Sequence, residues 1–457
     1  MRWNLSEIAT AVNGRLIGAD SGVAGVGTDT RQDCRGQLFV ALRGERFDAH
    51  DYLDAAVQQG AAALLVDREA GLPAGVPAVV VDDTRLALGR LASVWRRRFP
   101  IPVVAVTGSN GKTTTKEMIA AIFRTAHGDR VLATRGNLNN DIGLPLTLLG
   151  LDPAHRAAVV EMGMNHPGEI AYLTGIAQPT VALVTNAQRA HLEGMGCLDA
   201  VAREKGSIYQ GLGRSGVAVI NCDDVYADFW RGLNSARPIL GFSLDGNAEV
   251  CGRVQLHGLE TRLTLETREG SRDIELQLPG RHNARNALAA AAAALAAGVD
   301  LDTIAAGLRQ FGGVKGRLQR LAGPHGCVIL DDTYNANPDS VRAGIDVLAS
   351  TVGRQILVLG DMGEIGEASA QYHDEIGGYA KSQGVDRLYA LGEASQQAVR
   401  NFGEGARHFR TPESLVQALL PELDCGTTVL VKGSRFMQME RVVEALLARA
   451  ETAKEAD

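Results

Sequence analysis

The sequence predicts an α/β protein of three domains: a small α/β N-terminal domain, a central domain built on a parallel sheet, and a C-terminal Rossmann-like domain. Three observations support this fold class. The chain has 457 residues, which is enough for about three domains of ordinary size. Short runs of β-branched residues alternate with segments of helical apolar spacing along most of the chain. One buried-strand pattern, 103–106, leads directly into a glycine-containing turn.

Residues 1–82 are predicted to form the first domain. We expect helices over 5–12 and 52–59, and strands over 37–42, 62–66 and 78–81. Two polar segments, 28–31 and 43–50, lie between these elements. They are either solvated loops or a binding site for a polar or anionic ligand, and composition alone leaves both interpretations open.

Residues 83–313 are predicted to form the second domain, which a linking helix over 83–99 introduces. Near-continuous apolar runs predict strands of a parallel sheet buried on both faces; they lie at 157–161, 181–185 and 217–220. Apolar and polar residues then alternate over 250–278, which predicts antiparallel hairpins appended to that sheet. An alanine-rich helix over 286–297 closes the domain.

Residues 314–457 restart the βαβα alternation, which predicts the Rossmann-like domain. The predicted strands are 327–330, 356–359, 388–391 and 429–431. The predicted helices are 340–348, 371–382, 395–401, 412–420 and 437–448. Polar residues and glycines follow the strand ends, where open α/β sheets bind ligands. No G-x-G-x-x-G motif follows the first strand, which argues against a nicotinamide cofactor.

The composition narrows the class of protein. Hydrophobic residues make up 45% of the chain, and the net charge of −7 argues against a nucleic-acid partner. No two of the six cysteines have C-x-x-C spacing, so neither a zinc site nor a disulfide framework is indicated. The first residues carry no apolar signal core, and the longest apolar run, 287–299, is shorter than the roughly 20 residues that span a bilayer. We therefore expect a cytoplasmic chain without membrane insertion.

The strand, turn and helix over 103–127 predict a phosphate-binding loop, which makes the central sheet a P-loop mononucleotide-binding one. The loop contains Gly108, Ser109, Asn110, Gly111, Lys112, Thr113 and Thr114, with a helix expected from Lys116. Backbone N–H groups and the helix dipole favour an anion at such a turn. Lys112 would reach the terminal phosphates, and the hydroxyl of Thr113 would hold Mg²⁺. Val106 replaces the first glycine of the usual G-x-x-x-x-G-K-[ST] spacing, and an ordinary βα turn is the alternative.

Two further residues are candidate metal ligands. Glu161 ends a buried apolar strand, a position at which P-loop proteins hold Mg²⁺, although a helix N-cap is the other interpretation. His191 follows the strand that ends at 185. A lone histidine is more often structural, and Mg²⁺ prefers oxygen ligands. Convergence with Thr113 and Glu161 at one sheet edge nevertheless makes His191 a candidate.

Three more positions carry competing interpretations. Lys205 lies early in a predicted helix, where lysines are usually solvated. Asn283 opens the alanine-rich helix and could cap it or contact adenine through its amide. Arg317 lies at the entry to the third domain and could reach back to a triphosphate.

The motifs and their order along the chain resemble those of the Mur ligase family, and the resemblance covers essentially the whole chain. Members of this family are ATP-dependent amide ligases of peptidoglycan precursor assembly. Segment 107–116 resembles the family's T-G-[TS]-N-G-K-T-T loop, which accounts for the glycine spacing. Segments 331–340 and 359–366 look most like those of the members that add D-alanyl-D-alanine. The D-N-P-R motif of the diamino-acid-adding members does not occur, and folylpolyglutamate synthases lack the segments 28–31 and 47–50. One departure is the pair Gln188 and Arg189, where relatives usually carry smaller residues.

The resemblance implies a role for each candidate. Lys112 and the loop amides would bind the β- and γ-phosphates, Thr113 and Glu161 one Mg²⁺, and His191 a second. Lys205 matches a position that can carry a carbamylated lysine, whose carboxylate could ligate Mg²⁺ where an ammonium would repel it. The implied nucleotide contacts outside the loop are Asn283, Arg317 and Asp332, for adenine, phosphates and ribose. The implied substrate contacts are Asp29, Arg31 and Asp48 at the uridine end, Asn137 and Asn140 at the muramoyl part, and Asn335 and Asn337 in the third domain.

The resemblance also implies the reaction. The chain would join D-alanyl-D-alanine to UDP-N-acetylmuramoyl-tripeptide through an acyl phosphate, with release of ADP and phosphate. The first domain would bind the UDP substrate, the central domain ATP, and the third domain the dipeptide, closing about a hinge near 312–313. We expect a monomer. The alternatives are another, amino-acid-adding Mur-type ligase, a P-loop phosphotransferase or NTPase, and a nucleotide-sugar-binding scaffold.

Overall fold

Three parallel or mixed sheets follow one another along the chain, each with its own helices. The structure, a computed structural model, describes residues 3–454. Residues 1–2 and 455–457, at the outer ends of the first and third predicted domains, lie outside the described residues. Over the described range the strands form sheets of five, nine and six strands and one additional two-stranded pair. The predicted α/β class is therefore confirmed. No helix between residues 3 and 454 is long and apolar enough to cross a membrane.

The first sheet has the strand order β2-β7-β6-β5-β4, with β2 antiparallel to its neighbour and the other pairs parallel. Its strands and those of the small pair are β1 (Trp3–Asn4), β2 (Arg15–Ile17), β3 (Gly22–Val23), β4 (Gly25–Gly27), β5 (Gln37–Val40), β6 (Ala63–Val66) and β7 (Ala78–Val80), and the helices are α1 (Leu5–Val12) and α2 (Leu53–Gln58). Strands β1 to β4 have two or three residues each, which is too short for a periodic pattern, so the sequence did not predict them.

A linking helix, α3 (Thr84–Arg96), joins the first domain to the central one. The Asp83 side chain caps it by accepting hydrogen bonds from the N–H groups of Arg85 (2.8 Å) and Leu86 (2.9 Å). Its buried face includes Leu91 and Trp95, which belong to one apolar core that extends from first-domain into central-domain side chains. The first and central domains therefore share one continuous apolar core.

The central sheet has the order β16-β15-β14-β13-β12-β11-β8-β10-β9. Its strands are β8 (Val103–Thr107), β9 (Val131–Ala133), β10 (Ala157–Glu161), β11 (Val181–Val184), β12 (Val217–Asn221), β13 (Ile239–Ser243), β14 (Val250–His257), β15 (Glu260–Thr267) and β16 (Gly270–Leu276). Its helices are α4 (Lys112–His127), α5 (Gly143–Leu149), α6 (Glu169–Ala177), α7 (Leu192–Met195), α8 (Leu198–Gly206), α9 (Ala227–Leu233), α10 (Arg281–Ala296) and α11 (Leu301–Gln310). The strands β14, β15 and β16 pair antiparallel, which confirms the predicted hairpins.

Strand β8 lies between β11 and β10 in the central sheet and carries the phosphate loop. It pairs in parallel with β10, where Glu161 aligns with Val106, and with β11, where Val184 aligns with Thr107. The carboxyl ends of these three strands therefore meet at one edge. Helix α4 begins at Lys112, not at Lys116 as predicted, because the first turn is polar and the apolar spacing starts only at Met118.

The third sheet has the order β17-β18-β22-β19-β20-β21, antiparallel only between β17 and β18. Its strands are β17 (Gln319–Ala322), β18 (Val328–Asp332), β19 (Arg354–Gly360), β20 (Arg387–Leu391), β21 (Ala406–Phe409) and β22 (Thr427–Lys432), and the helices are α12 (Pro338–Ala349), α13 (Ser369–Ser382), α14 (Gln396–Phe402), α15 (Pro412–Leu419) and α16 (Glu440–Lys454). Two apolar cores, one on each face of the sheet, are separate from the core of the first two domains. This is the layered arrangement of a Rossmann-like domain.

Candidate active site

Two glycines allow the loop after β8 to fold against its neighbours. Gly108 has φ +152° and Gly111 has φ +78°. A Cβ atom at Gly108 would lie 1.8 Å from Thr185 Oγ1, and one at Gly111 would lie 2.3 Å from Asn286 Oδ1. No larger residue fits either position, because Cβ atoms do not approach other atoms so closely. The packing of the loop on Thr185 and Asn286 therefore requires the glycines that the motif contains.

The loop is also held by side chains from the end of β11. Asn186 Oδ1 accepts a hydrogen bond from the Asn110 N–H (2.9 Å), and its Nδ2 donates to the Asn110 carbonyl (3.1 Å). The Thr185 hydroxyl donates to the same carbonyl (2.7 Å). The N–H and the carbonyl of Asn110 are thus both hydrogen-bonded, which fixes the loop before any ligand binds.

Lys112 lies at the start of α4, beside the loop that precedes it. Its Nζ donates to the carbonyls of Gly108 (2.7 Å) and Ser109 (3.2 Å). Burial lowers the pKa of Lys112, while the nearby Glu161 carboxylate opposes that change. The first N–H groups of a helix have no partner within the helix, so the turn that carries Thr113 and Thr114 offers donors for an anion.

Glu161 presents a carboxylate oxygen without a partner. The side chain is 2% exposed, and its Oε1 accepts a hydrogen bond from Asn139 Nδ2 (2.8 Å). Among the residues that the structure describes, Oε2 has no hydrogen-bond partner although it is buried. Buried polar atoms are nearly always paired, because desolvation is costly. A cation at this position would satisfy the orphaned oxygen, so the donor set fits a divalent metal ion.

Within residues 3–454, no cluster of three or more His, Cys, Asp or Glu side chains has the arrangement of a metal site. A site that combines Thr113 and Glu161 would need further ligands from phosphate oxygens or water, which is how Mg²⁺ is commonly held. The geometry therefore suits a metal that arrives with a nucleotide.

His191 brings the central and third domains together. It has φ +58°, and its Nδ1 lies 3.0 Å from Oε2 of Glu364, a residue of the third domain. Burial lowers the pKa of His191, an effect that the Glu364 carboxylate opposes. The contact with His191 lowers the pKa of Glu364 in turn. A neutral imidazole is the form that could ligate a metal.

Lys205 is buried, so the interpretation as a solvated helix-face lysine is wrong. It lies in the last turn of α8, not early in the helix as predicted, and 1% of its surface is exposed. Burial holds the pKa of Lys205 well below its usual value, and the ammonium of Lys112 adds to this effect. An amine in such surroundings favours its neutral form, which is the form that reacts with CO₂.

Arg317 reaches from the third domain to the phosphate loop. Its Nη2 lies 3.5 Å from Thr113 Oγ1, and its guanidinium carbon lies 4.1 Å from the centre of the Tyr334 ring. Nearby, Asp332 Oδ2 accepts a hydrogen bond from the buried Lys432 Nζ (2.6 Å) and Oδ1 accepts one from the Leu318 N–H (3.2 Å). Asp332 is therefore already paired, in an arrangement that the sequence alone did not predict.

Asn283 makes hydrogen bonds at the start of its own helix and to the residue stretch just before it. Its Nδ2 donates to the Pro279 carbonyl (2.8 Å), and its Oδ1 accepts from Asn286 Nδ2 (3.2 Å). Asn286 in turn packs on Gly111. The two amides connect the first turn of α10 to the phosphate loop.

A cleft of about 1480 Å³ between the domains brings most of the predicted residues together. The predicted residues that line it are Ser109, Asn110, Gly111, Lys112, Thr113, Thr114, Asn137, Asn140, Glu161, His191, Asn283, Arg317, Asp332, Asn335 and Asn337. Gly108 and Lys205 do not line the cleft, and neither do Asp29, Arg31 and Asp48 of the first domain.

The three predicted residues of the first domain are paired with local partners. Arg31 Nη2 lies 2.8 Å from Asp29 Oδ2, and this contact lowers the pKa of Asp29 to about 2. Asp48 accepts hydrogen bonds from the His50 N–H (3.0 Å) and from Arg68 Nη2 (2.9 Å). Asp48 therefore orders its own loop, an arrangement that the residue pattern did not indicate.

Five residues for which no site role was predicted also contact predicted site residues: Asn139, Asn186, Asn286, Glu364 and Lys432. Asn139, which donates to Glu161, lies between the predicted Asn137 and Asn140. Asn140 accepts a hydrogen bond from the Gly143 N–H at the start of α5 (2.9 Å). Neighbouring asparagines have identical side chains, so only the fold shows which of them points toward Glu161.

Family models match most of the chain. Residues 106–294 match the Mur ligase middle domain, residues 316–435 the domain described as Mur ligase, glutamate ligase domain, and residues 22–96 that described as Mur ligase family, catalytic domain. The chain is 45% identical over 449 residues to the UDP-N-acetylmuramoyl-tripeptide--D-alanyl-D-alanine ligase of Escherichia coli (strain K12). The aligned region covers 97% of this chain and 98% of that protein. The ligase of the same name from Haemophilus influenzae is 43% identical over 96% of this chain and 97% of that protein.

Solved structures agree in fold. A crystal structure of MurF from Acinetobacter baumannii has a TM-score of 0.92 and 36% identity, covering 98% of this chain and 99% of that one. MurF ligase from Thermotoga maritima, in complex with ADP, has a TM-score of 0.83 and 27% identity, covering 94% of this chain and 99% of that one. With matches of this identity along nearly its whole length, the chain belongs to the Mur ligase family.

Proposed function

We propose that the chain is an ATP-dependent ligase that joins D-alanyl-D-alanine to UDP-N-acetylmuramoyl-tripeptide and releases ADP and phosphate. One observation carries this proposal: Lys112 of the phosphate loop and Arg317 of the third domain converge at one cleft, beside the unpartnered carboxylate oxygen of Glu161. The curated names of the relatives from Escherichia coli and Haemophilus influenzae support the choice of substrates. The ADP in the Thermotoga maritima structure supports a nucleotide at this loop.

We propose that residues 1–82 bind the UDP substrate, 83–313 bind ATP, and 314–457 bind the incoming dipeptide. The apolar core shared by the first two domains supports treating them as one body, against which the third domain moves. The connection between α11 and β17 contains Gly313 with φ +95°, a backbone conformation that suits a hinge. We place the hinge near 312–313.

ATP would lie with its phosphates on the loop. The seven loop residues from Gly108 to Thr114 would cradle the β- and γ-phosphates, with Arg317 on the other side. The Asn283 amide has a second N–H beyond the one that meets Pro279, which would remain for adenine. Asp332 would accept from the ribose with lone pairs not used by Lys432 and Leu318.

We propose that Thr113 and Glu161 hold one Mg²⁺ and that His191 and a carbamylated Lys205 hold another. When bound, these ions would neutralise charge on the transferring phosphoryl group. The neutral amine of Lys205 would attack CO₂ and lose a proton, forming an N–C bond and a carboxylate. The lowered pKa of Lys205 supports this reaction, because only the unprotonated nitrogen has the lone pair that it needs.

The remaining residues would bind and orient the two acceptors. In the first half-reaction, the tripeptide carboxylate attacks the γ-phosphorus, the bond to the β-phosphate oxygen breaks and ADP leaves, which gives an acyl phosphate, with Lys112 holding the charged group. In the second, the amine of the dipeptide attacks the acyl carbon and phosphate leaves. Closure of the third domain would exclude water from the acyl phosphate. Candidate substrate contacts are Asp29, Arg31, Asp48, Asn137, Asn140, Asn335 and Asn337.

One assay separates this function from its alternatives. The purified chain is mixed with Mg-ATP, UDP-N-acetylmuramoyl-tripeptide and D-alanyl-D-alanine, and phosphate is measured with each component left out in turn. We expect release only when both acceptors are present. Release without acceptors would instead identify an NTPase or phosphotransferase, and release with a free amino acid in place of the dipeptide would identify a different Mur-type ligase.

We also propose a monomer that works in the cytoplasm, where ATP is available. Light scattering coupled to size-exclusion chromatography would test the monomer, with a mass near 48.4 kDa expected.

A further inference from the structure

The loop that follows β11 lies between the phosphate loop and the third domain. On the phosphate-loop side, the Ser109 hydroxyl donates to the Gln188 carbonyl (2.9 Å) and accepts from the Gln188 N–H (2.9 Å). Gln188 Oε1 also accepts from Asn110 Nδ2 (2.7 Å). Both the backbone and the side chain of Gln188 are thereby attached to the phosphate loop.

The next residue, Arg189, is attached to the third domain instead. Asp339 of α12 accepts hydrogen bonds from the Arg189 N–H (2.9 Å) and from its Nη2 (2.7 Å) and Nε (3.1 Å). Glu375 of α13 accepts from Nη1 (2.9 Å), and the guanidinium carbon lies 5.2 Å from the centre of the Tyr372 ring. The three charged side chains are only 22%, 21% and 32% exposed for Arg189, Asp339 and Glu375.

This contact differs in kind from the ion pairs on the protein surface. In the Arg262–Glu275 pair, both residues belong to one hairpin and their side chains are 59% and 78% exposed. Such exposed pairs contribute little, because water and salt screen them. At Arg189 a planar guanidinium meets two carboxylates in a half-buried site, where the interaction is stronger and depends on geometry.

The contact enters the third domain through the first turn of α12. Asn337, the N-cap of that helix, reaches Asn110 of the phosphate loop, and Asp339 reaches Arg189. Both third-domain residues therefore move together as part of one rigid helix start. His191, the candidate metal ligand, is two residues beyond Arg189 on the same loop. The position of α12 is therefore coupled to Arg189 and to His191.

We propose that Arg189 is a positioning residue that latches the third domain onto the central domain through Asp339 and Glu375. Because Gln188 already fixes this segment to the phosphate loop, docking of α12 on Arg189 orients the His191 side chain beside that loop. The inference rests on the proposed function for its kinetic consequences. The docking itself does not depend on it.

The experiment compares the wild-type chain with Arg189→Gln, Asp339→Asn and the double variant, with Arg262→Gln as the matched control. The radius of gyration is measured by small-angle X-ray scattering at low and high salt. The KM values for D-alanyl-D-alanine and for the UDP substrate are measured separately. Because the two single variants lie on opposite sides of the contact, either one tests it if the other fails to fold.

We expect both single variants to have a larger radius of gyration than the wild type at low and at high salt, because salt screens a half-buried ion pair much less than an exposed one. We expect KM for the dipeptide to rise about tenfold, which corresponds to about 1.4 kcal/mol. KM for the UDP substrate should stay within about twofold, because the first domain shares a core with the central one. The double variant should be no worse than either single variant, and Arg262→Gln should match the wild type.

The inference is overturned if both variants keep the wild-type radius and dipeptide KM, or if their effects add in the double variant. In that case acceptor-dependent phosphate release by the wild type would leave the proposed function standing. If the wild type releases no acceptor-dependent phosphate, the proposed function fails, while the scattering measurements still decide whether the latch exists.

Discussion

Asn337 of the third domain and Asn110 of the phosphate loop pair their side-chain amides across the cleft. Asn337 Nδ2 donates to Asn110 Oδ1 (2.7 Å), and Asn110 Nδ2 lies 3.2 Å from Asn337 Oδ1. The two residues are 227 positions apart in the chain. Since Asn110 is also held by Asn186 and Gln188, the pair connects the start of α12 to a loop whose shape is already set.

The Asn110–Asn337 pair predicts a separation of activity from stability. Asn337 also caps α12, since its Oδ1 accepts from the Ser340 N–H (2.9 Å). Asn337→Ser keeps a cap but is too short to reach Asn110, so we expect an unchanged melting temperature and about fivefold lower kcat/KM for the dipeptide. Asn337→Ala should lose both, with about 1 kcal/mol of stability. Kinetics and thermal unfolding of the two variants check this, and equal activity of Asn337→Ser and wild type would contradict it.

Removal of the buried Lys205 amine should abolish the ligase reaction in a way that a small acid can reverse. We expect Lys205→Ala to lose at least about a hundredfold in turnover, because a metal ligand would be missing. Acetate or formate should restore part of the activity by filling the space with a carboxylate. Lys381→Ala, which changes an exposed lysine of the third domain, is the control. Near-normal turnover of Lys205→Ala would rule out the carbamate.

Asp332 should matter for stability as well as for nucleotide binding. Its carboxylate is the partner of Lys432, which is 2% exposed. Asp332→Asn leaves a buried ammonium without its counter-charge, so we expect a loss of about 3 kcal/mol in the free energy of unfolding. Asp332→Asn combined with Lys432→Met should recover most of that loss. Urea denaturation measures both, and an unchanged midpoint for Asp332→Asn would refute the structural role.

His282 predicts how stability changes with pH. Burial lowers the pKa of His282 to about 4, and the cations of Lys432 and Arg285 add to this effect. In the unfolded chain the ring binds a proton near pH 6.5, so between pH 6.5 and 4 the unfolded state holds more protons than the folded state. The contribution of the neutral His282 ring to the free energy of unfolding is therefore complete above pH 6.5 and is lost as the pH falls toward 4.

The measurement is the urea midpoint at pH 7, 6 and 5. His282→Gln should flatten the dependence in this range by at most about 1.4 kcal/mol per pH unit, which corresponds to one proton. His257→Gln changes an exposed histidine and should leave the slope unchanged. An identical slope for His282→Gln and the wild type would show that this residue is not the group that titrates.

The local pattern of apolar and polar residues was sufficient to predict most helices and strands, but not the residues at which they begin and end. The starts of α4 and α10 were predicted too late, because their first turns are polar and the apolar spacing begins only about one turn later. Strands β17 and β21 were missed, because they lie at the edges of the third sheet and are half exposed, so they carry no continuous apolar run. The hairpins over 250–276 were predicted because one face is buried and the other solvated.

The burial of Lys205 could not be read from its helix, where a lysine is normally solvated. Glu204 beside it caps α6 by accepting from the N–H groups of Gly168 (2.9 Å) and Ile170 (2.8 Å), so α8 is packed inward by contacts that span more than thirty residues. Similarly, the carboxylate partners of Arg189 lie 150 and 186 positions away. No spacing rule reaches across such distances.

By itself, the sequence determined the α/β class, the phosphate loop after β8 and the resemblance to the Mur ligases, because strand runs, glycine turns and short motifs are local. Only the tertiary structure decided which polar side chains meet: Asn139 at Glu161, Lys432 at Asp332, Asp339 at Arg189. Short polar side chains have no periodic signature. Their partners depend on which strands and loops become neighbours, as for Asp332 and Lys432, and on how the central and third domains are oriented, as for Arg189 and Asp339. Among the residues that the structure describes, Oε2 of Glu161 is buried without a hydrogen-bond partner, at the edge of the sheet where the loop turns.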